Sequence, residues 1–375
     1  MGQVRVKPFE LERFFARHEF TAPHTLTSSD CEPLALAEAL SLADDEMRAA
    51  WDGMRLGYGE TAGSSQLRDE VAGLYQGIDR SLVQIAAPEE CIFLAMNAML
   101  DAGDHIVATF PGYQSLYELA GAIGCEVDRW EPDESEGWRF DPDELDRLAR
   151  PDTRAIIVNF PHNPTGYHPT REEFEAIVDI ARDRGAWLFS DEMYRFLELD
   201  SGTLPAACEL YERGVSLSGL SKTFGLPGAR IGWLATRDAG LRERVLLLRE
   251  YTTICSSPLS EVLAVIALRA RDRIVCANAA RLRRNLDILD EFFAEREGLF
   301  GWVRPGAGTV AFPRLRFGTS ARSFCEELLS ETGVLLVPSP VFLYGDSHFR
   351  LGFGRENMPE VLEMVKGFLD GRTTA

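Results

Sequence analysis

Short apolar runs recur through the middle of the chain, at residues 105–109 (HIVAT), 155–159 (AIIVN), 187–190 (WLFS) and 215–218 (VSLS), with helical patterns between them. Strands that alternate with helices pair in parallel, because a crossover helix returns the chain to the starting edge of the next strand. The pattern holds from about residue 67 to 240 and predicts an α/β fold built on a mainly parallel sheet. Residues 170–185 (TREEFEAIVDIARDRG) show the helical half of the unit, with Thr170 as N-cap, acids in the first turn and a terminal glycine. Each run ends beside a polar residue with chemical potential. Open α/β sheets bind ligands at the carboxyl ends of their strands, so those ends are where a site is expected.

The rest of the chain divides by pattern. Residues 241–297 are strongly helical and rich in arginine and leucine, consistent with one long helix joining two domains. Residues 298–370 alternate strands with helices again, as a smaller α/β unit would. The expected division is an N-terminal arm over 1–50 packing on the small domain, a large domain over 51–265 and a C-terminal domain over 266–375. A chain of 375 residues, 45% hydrophobic, is long enough for this two-domain core.

Charge and composition exclude several functions. Against 39 Lys plus Arg stand 59 Asp plus Glu, and a formal charge of −20 opposes a nucleic-acid partner. No run approaches about 18 uninterrupted apolar residues, and the opening MGQVRVKPFELERFF is charged where a signal peptide needs an apolar centre. A cytoplasmic protein with no membrane segment is expected. The seven cysteines lack CxxC spacing and read as small buried hydrophobes. The histidines show no ligand spacing, so no metal is expected. GFGREN lacks the third glycine and strand-turn-helix context of a dinucleotide fingerprint.

The most specific segment is residues 218–232, SGLSKTFGLPGARIG. A lysine forms a Schiff base only when part of it is unprotonated, which calls for a partly dry, cation-lined setting. Beside Lys222, Ser221 and the series Gly225, Gly228, Gly232 leave room for a flat ring to approach the backbone. Arg230 is suited to a phosphate, which its planar fork can hold with two bonds. Together these features describe a site for pyridoxal phosphate.

The chain here resembles the class I and II aminotransferases, pyridoxal-phosphate enzymes of fold type I. That resemblance spans most of the sequence and implies a large domain with a seven-stranded, mainly parallel sheet between helices, plus a smaller C-terminal α/β domain. It also assigns expectations to individual residues. Asn163, in NFPHNPTG, would donate to the phenolate oxygen of the cofactor, although NPTG is also a turn in which an asparagine caps itself. Asp191, in FSDEMY, would keep the pyridine nitrogen protonated so that the ring acts as an electron sink. An aspartate ending a strand is otherwise a helix N-cap. Tyr194 would also contact the phenolate oxygen, and Tyr113, in FPGYQSL, would stack on the ring; both could instead be ordinary half-buried aromatics.

For the phosphate, the free amides of a helix N-terminus are expected, here in IAAPEECIF. Pro88 has no N–H, so the amides of Glu89 and Glu90 would carry the contact, with their side chains turned away. Gly219 stands where many relatives have a hydroxyl, and Ser218 or Ser221 would substitute. Tyr58, in GYGETAG, matches a tyrosine that reaches the phosphate of the neighbouring subunit, which implies a homodimer with active sites at the interface. Arg350, in HFRLGFG, would clamp the substrate α-carboxylate, and Ser29 and Asp30 would add substrate contacts with Asn163.

The expected reaction is amino-group transfer from an L-amino acid to a 2-oxo acid through a Lys222 Schiff base, with Asp191 and Tyr194 assisting. LSKTFGLPGARIGW and VNFPHNP are also similar to capreomycidine synthase, a fold-type I enzyme, so elimination with cyclisation is the alternative chemistry. Residues 191–194 match the aminotransferase pattern more closely. A non-catalytic regulatory module is disfavoured because regulators of this type carry a DNA-binding domain ahead of the aminotransferase-like part, and only about fifty residues precede Trp51.

Overall fold

The computed structural model describes residues 6–373. Its main sheet has seven strands: β1 (Val83–Ala86), β2 (His105–Thr109), β3 (Glu126–Trp130), β4 (Thr153–Asn159), β5 (Trp187–Asp191), β6 (Gly214–Gly219) and β7 (Gly232–Thr236). Their order is β1-β7-β6-β5-β4-β2-β3. β7 runs antiparallel to both neighbours, β1 and β6, and the remaining pairs are parallel. The four strands expected from the sequence are all present, each extended by at most two residues.

Burial on both faces explains why those four are continuously apolar. Along β2 and β4 successive side chains alternate between two clusters. Ile106, Ala108 and Ile157 pack with helix α2 (Pro88–Met99), and Val107, Ile156 and Val158 pack with helix α3 (Arg171–Arg184) on the opposite face. Each such side chain contributes about 1.5–3 kcal/mol by leaving water. α3 has the ends its sequence encodes: Thr170 Oγ1 accepts from the Glu173 amide while the Glu173 carboxylate accepts from the Thr170 amide, and Gly185 closes the helix at φ +61°.

The following helices carry the chain into a second cluster. α4 (Pro258–Arg269) and the start of α5 (Arg271–Ala294) pack with the sheet through Val265 and Ile274, whereas Leu282, Leu286 and Phe293 of α5 pack with Phe324, Leu351 and Val361. In the second cluster a three-stranded antiparallel sheet pairs Phe349–Gly352 with Val310–Ala311 and Val337–Pro338.

The N-terminal arm divides between the two clusters; the part of it over residues 1–5 lies outside the described residues. His24–Thr25 pairs in parallel with Val334–Leu335, and Leu11 packs with Val341 and Phe342. Residues 34–50 pack against Leu67, Val71 and α4 on the sheet side. Of the cysteines, Cys31, Cys91, Cys208 and Cys325 are buried as expected; Cys276 is exposed and Cys125 and Cys255 are half-buried, so burial does not extend to all seven. No helix among the described residues is long and apolar enough to cross a membrane.

Candidate active site

The parallel strands β4 and β5 end in register, with Asn159 opposite Asp191 and Asp191 opposite Leu217 of β6. All three line a cavity of about 500 Å³. Further parts of its wall come from the segment around Ser29, from the start of α2, from the run that follows β6, and from Arg350 on the second cluster. Distant parts of the sequence therefore converge on the strand ends, where the chain alternation placed the site.

Lys222 projects into this cavity and its Nζ donates to Ser29 Oγ at 2.7 Å. Burial holds its pKa below the ordinary lysine value; Arg350 acts in the same direction, while Asp30 and Asp191 oppose it. The neutral amine is therefore more accessible than in an exposed lysine. Asp191 is buried, its Oδ1 accepts from the Met193 amide at 3.1 Å, and it begins no helix, which rules out the N-cap role. Burial pushes its carboxyl up to about 7, against the Met193 amide and Lys222, which favour the charged form. A buried carboxylate without a cation within ion-pair distance among the described residues is poised for a positively charged partner.

Arg350 is 1% exposed. It donates to the Thr27 carbonyl at 2.9 Å and to Asn163 Oδ1 at 3.3 Å, and makes no ion pair with any described residue. Because the arginine can only donate, Asn163 must present its oxygen to it, which leaves Nδ2 free of any bond among the described residues and rules out the self-capping turn. The Tyr194 hydroxyl donates to the Ser29 carbonyl at 3.0 Å. Residues 26–365 match the family described as aminotransferase class I and II. The chain belongs to the class I and II aminotransferases.

As a member of that family it is an enzyme dependent on pyridoxal phosphate. It is 32% identical over 296 residues to capreomycidine synthase of Streptomyces vinaceus, covering 79% of this chain and 76% of the relative. A pyridoxal-phosphate-dependent aminotransferase from Streptococcus suis superposes with a TM-score of 0.91 at 32% identity, over 97% of this chain and 98% of that one. The pyridoxal-phosphate-dependent cyclase OrfR gives 0.90 at 32% identity, over 99% of each.

The residues of this aminotransferase fit the cofactor. Within α2 the first amide bonded inside the helix is that of Cys91, to the Ala87 carbonyl at 2.8 Å, so the amides of Glu89 and Glu90 remain free at the N-terminus. Ser221 Oγ is buried on the cavity wall with no hydrogen-bond partner among the described residues, and Arg230 also lines the cavity. Free amides, an unsatisfied hydroxyl and a guanidinium form a donor set suited to a phosphate. Asp191 suits a protonated ring nitrogen, and Asn163 Nδ2 suits an oxygen anion.

Other expected residues lie elsewhere. Ser218 does not line the cavity: its hydroxyl donates to the Glu192 carbonyl at 3.4 Å, because alternation along β6 gives the cavity side to Leu217. The Glu90 carboxylate turns away to accept from Thr252 and Thr253. Glu89 stays on the wall, bonded by Ser115, and burial raises its pKa toward the neutral form, which lessens its conflict with a phosphate. Tyr113 is half-buried on the wall, with its ring 5.0 Å from that of Phe9 and its hydroxyl donating to Glu12 at 3.4 Å. Tyr58 is 93% exposed and does not line the cavity of its own chain.

Asp30 lines the cavity but is held by Arg355, whose NH2 donates to both carboxylate oxygens at 2.9 and 3.2 Å. Arg355 was hidden in GFGREN, where only the glycines attract attention. Helix α1 (Glu10–His18) also lines the cavity through Leu11, Glu12 and Phe15, and nothing in its local sequence signals that placement.

Proposed function

We propose that the enzyme transfers the amino group of an L-amino acid to a 2-oxo acid. The observation that carries this is the pairing of a charge-lowered lysine with an unpaired buried arginine across one cavity: Lys222 is the acid–base group and Arg350 the carboxylate clamp. Pyridoxal phosphate, when bound, supplies a carbonyl for the amino group and a protonated ring that accepts electrons as the Cα–H bond weakens. Asp191 holds the charge of that ring, and Ser221, Arg230 and the α2 amides hold the phosphate. Asn163 Nδ2 would donate to the ring's oxygen anion and Tyr113 would cover the ring, while Tyr194 holds the Ser29 segment of the wall in place. Arg350 then presents the substrate Cα proton to Lys222, whose neutral amine removes it.

Replacing Lys222 with alanine tests the assignment. Borohydride reduction followed by mass spectrometry should find the cofactor attached to Lys222 in the wild type and none in the variant, with turnover lost; covalent attachment elsewhere would sink it. Elimination with cyclisation is the second possibility, supported by the similarity to capreomycidine synthase and OrfR. Amino acid without acceptor separates the two. A transaminase forms one equivalent of 2-oxo acid per site and stops, whereas an eliminating enzyme continues to turn over without a 2-oxo acid.

We also infer a homodimer. Tyr58 and Leu56 project from one segment with 93% and 76% exposure, as a tyrosine serving the neighbouring site would. A Lys222→Ala chain mixed with a Tyr58→Ala chain should then give hybrids with one site intact in both residues, and more activity than either parent; sedimentation as a monomer would refute the shared site.

A further inference from the structure

We propose that the amino acid taken by this site carries a positively charged side chain, recognised by Glu12 and Glu19. This rests on the amino-acid substrate proposed above and adds the chemistry of its side chain.

The charges around the cavity can be assigned one by one. Arg350 is unpaired and faces the α-carboxylate, Arg230 lies at the phosphate end, and Asp191 awaits the ring nitrogen. Asp30 is neutralised by Arg355, Lys222 is the acid–base group, and Glu89, raised toward its neutral form by burial, is bonded by Ser115. Glu12 and Glu19 remain, both lining the cavity and neither within ion-pair distance of a lysine or arginine among the described residues. They are seven residues apart, two helical turns, and so share one face of the segment with Phe15 between them. The Phe15 ring lies 5.6 Å from the Arg350 guanidinium carbon, which places this face beside the carboxylate clamp.

Glu19 is badly placed for the helix itself. It is the C-cap residue, where a negative charge opposes the macrodipole. Burial, Asp30 and Glu12 push its pKa up, and Arg350 and Arg355, neither within ion-pair distance, offset this only in part. A half-buried carboxylate in that position, with no ion-pair partner among the described residues, is stabilised by a cation brought by the substrate. An acidic substrate side chain would meet two more negative groups, and the remaining arginine of the wall, Arg355, is already engaged by Asp30. A guanidinium or ammonium on an alkyl stem satisfies both ends, its stem lying along Leu11 and Phe15.

The test titrates the holoenzyme with L-arginine, L-lysine, L-citrulline and L-glutamate, reading the change in cofactor absorption for half-saturating concentrations. Citrulline keeps the shape of arginine without its charge. Arginine or lysine should half-saturate at a concentration about tenfold or more below citrulline, the scale of one charge-assisted pair. Glutamate should be weakest. Glu12→Gln/Glu19→Gln should collapse the arginine-to-citrulline ratio, and Glu19→Lys should invert the order of arginine and glutamate; both positions are accessible enough for the fold to tolerate the changes. Citrulline binding as tightly as arginine, glutamate binding best, or a ratio unmoved in the variants would overturn the proposal while leaving the amino-acid reaction standing. A spectrum unmoved by any amino acid would instead refute the reaction, and the side-chain assignment with it.

Discussion

Pro88 and Gly219 share one space: a Cβ on Gly219 would stand 3.2 Å from Pro88 Cγ, and one on Gly232, opposite it across β6 and β7, would stand 2.9 Å from the same atom. The proline ring at the start of α2 thus fills the volume that a side chain at 219 would need. Loss of an N–H at 88 and loss of a hydroxyl at 219 are one packing solution rather than two separate defects in the phosphate cup.

Gly219→Ser should therefore not improve cofactor binding. Its Cβ would also meet Gly232 Cα at 2.9 Å and the Ile231 carbonyl at 3.0 Å, both backbone atoms that cannot swing aside. Overpacking of this kind costs about 1–3 kcal/mol. Thermal melting should show a lowered Tm, and equilibrium dialysis a weaker hold on pyridoxal phosphate. A tighter complex at unchanged Tm would refute the packing account.

Much of this was legible in the sequence, for local reasons. The apolar strands, the capped helix over 171–184 and the 218–232 run all encode their structure within a few residues. Lys222, Asp191, Asn163 and Arg350 converge because each sits at or beside a strand end. What escaped was set by tertiary placement. β3, EVDRW, is an edge strand with exposed and half-buried charges, so it lacks the apolar run of its neighbours. Ser218 was a candidate although strand alternation allows only one of Ser218 and Leu217 to face the cavity. Glu12, Glu19 and Arg355 reach the site from the two ends of the chain, over more than 190 positions from Lys222 in the case of Glu12 and Glu19.

Asp191 makes the cofactor-free protein sensitive to pH. Its carboxyl is raised from 3.8 to about 7 in the fold, so the fold prefers the protonated form. That contribution is complete below pH 3.8 and disappears as the pH rises through about 7. Asp191→Asn has no such loss. The variant without cofactor should match the wild type near pH 4 and exceed it at pH 8, by up to about 4 kcal/mol. Denaturant melts at the two pH values measure the difference. Turnover should fall by about two to four powers of ten, as for loss of an acid–base partner.

Ser29 tunes the lysine. Its Oγ accepts from Lys222 Nζ at 2.7 Å, a bond that favours the ammonium form. Ser29→Ala removes it, so the Lys222 pKa should fall further below the ordinary lysine value. In the cofactor-free enzyme, modification of Lys222 by an amine reagent, followed by peptide mass spectrometry across a pH series, should show its midpoint displaced to lower pH. A midpoint displaced upward, or left in place, would mean that the serine does not act on the charged amine.

Arg350 separates charge from geometry at the carboxylate end. It is buried with no ion-pair partner among the described residues, an arrangement that is costly until an anion arrives. Arg350→Lys keeps a positive charge but loses the planar fork and one of its two anchors, at Thr27 or Asn163. KM for the amino acid should rise by about ten- to a hundredfold, the worth of one of two charge-assisted bonds, with a smaller effect on kcat. The amine that lacks the α-carboxylate serves as control, since the wild type should discriminate against it strongly and the variant much less. Equal discrimination by both enzymes would place the carboxylate somewhere other than on Arg350.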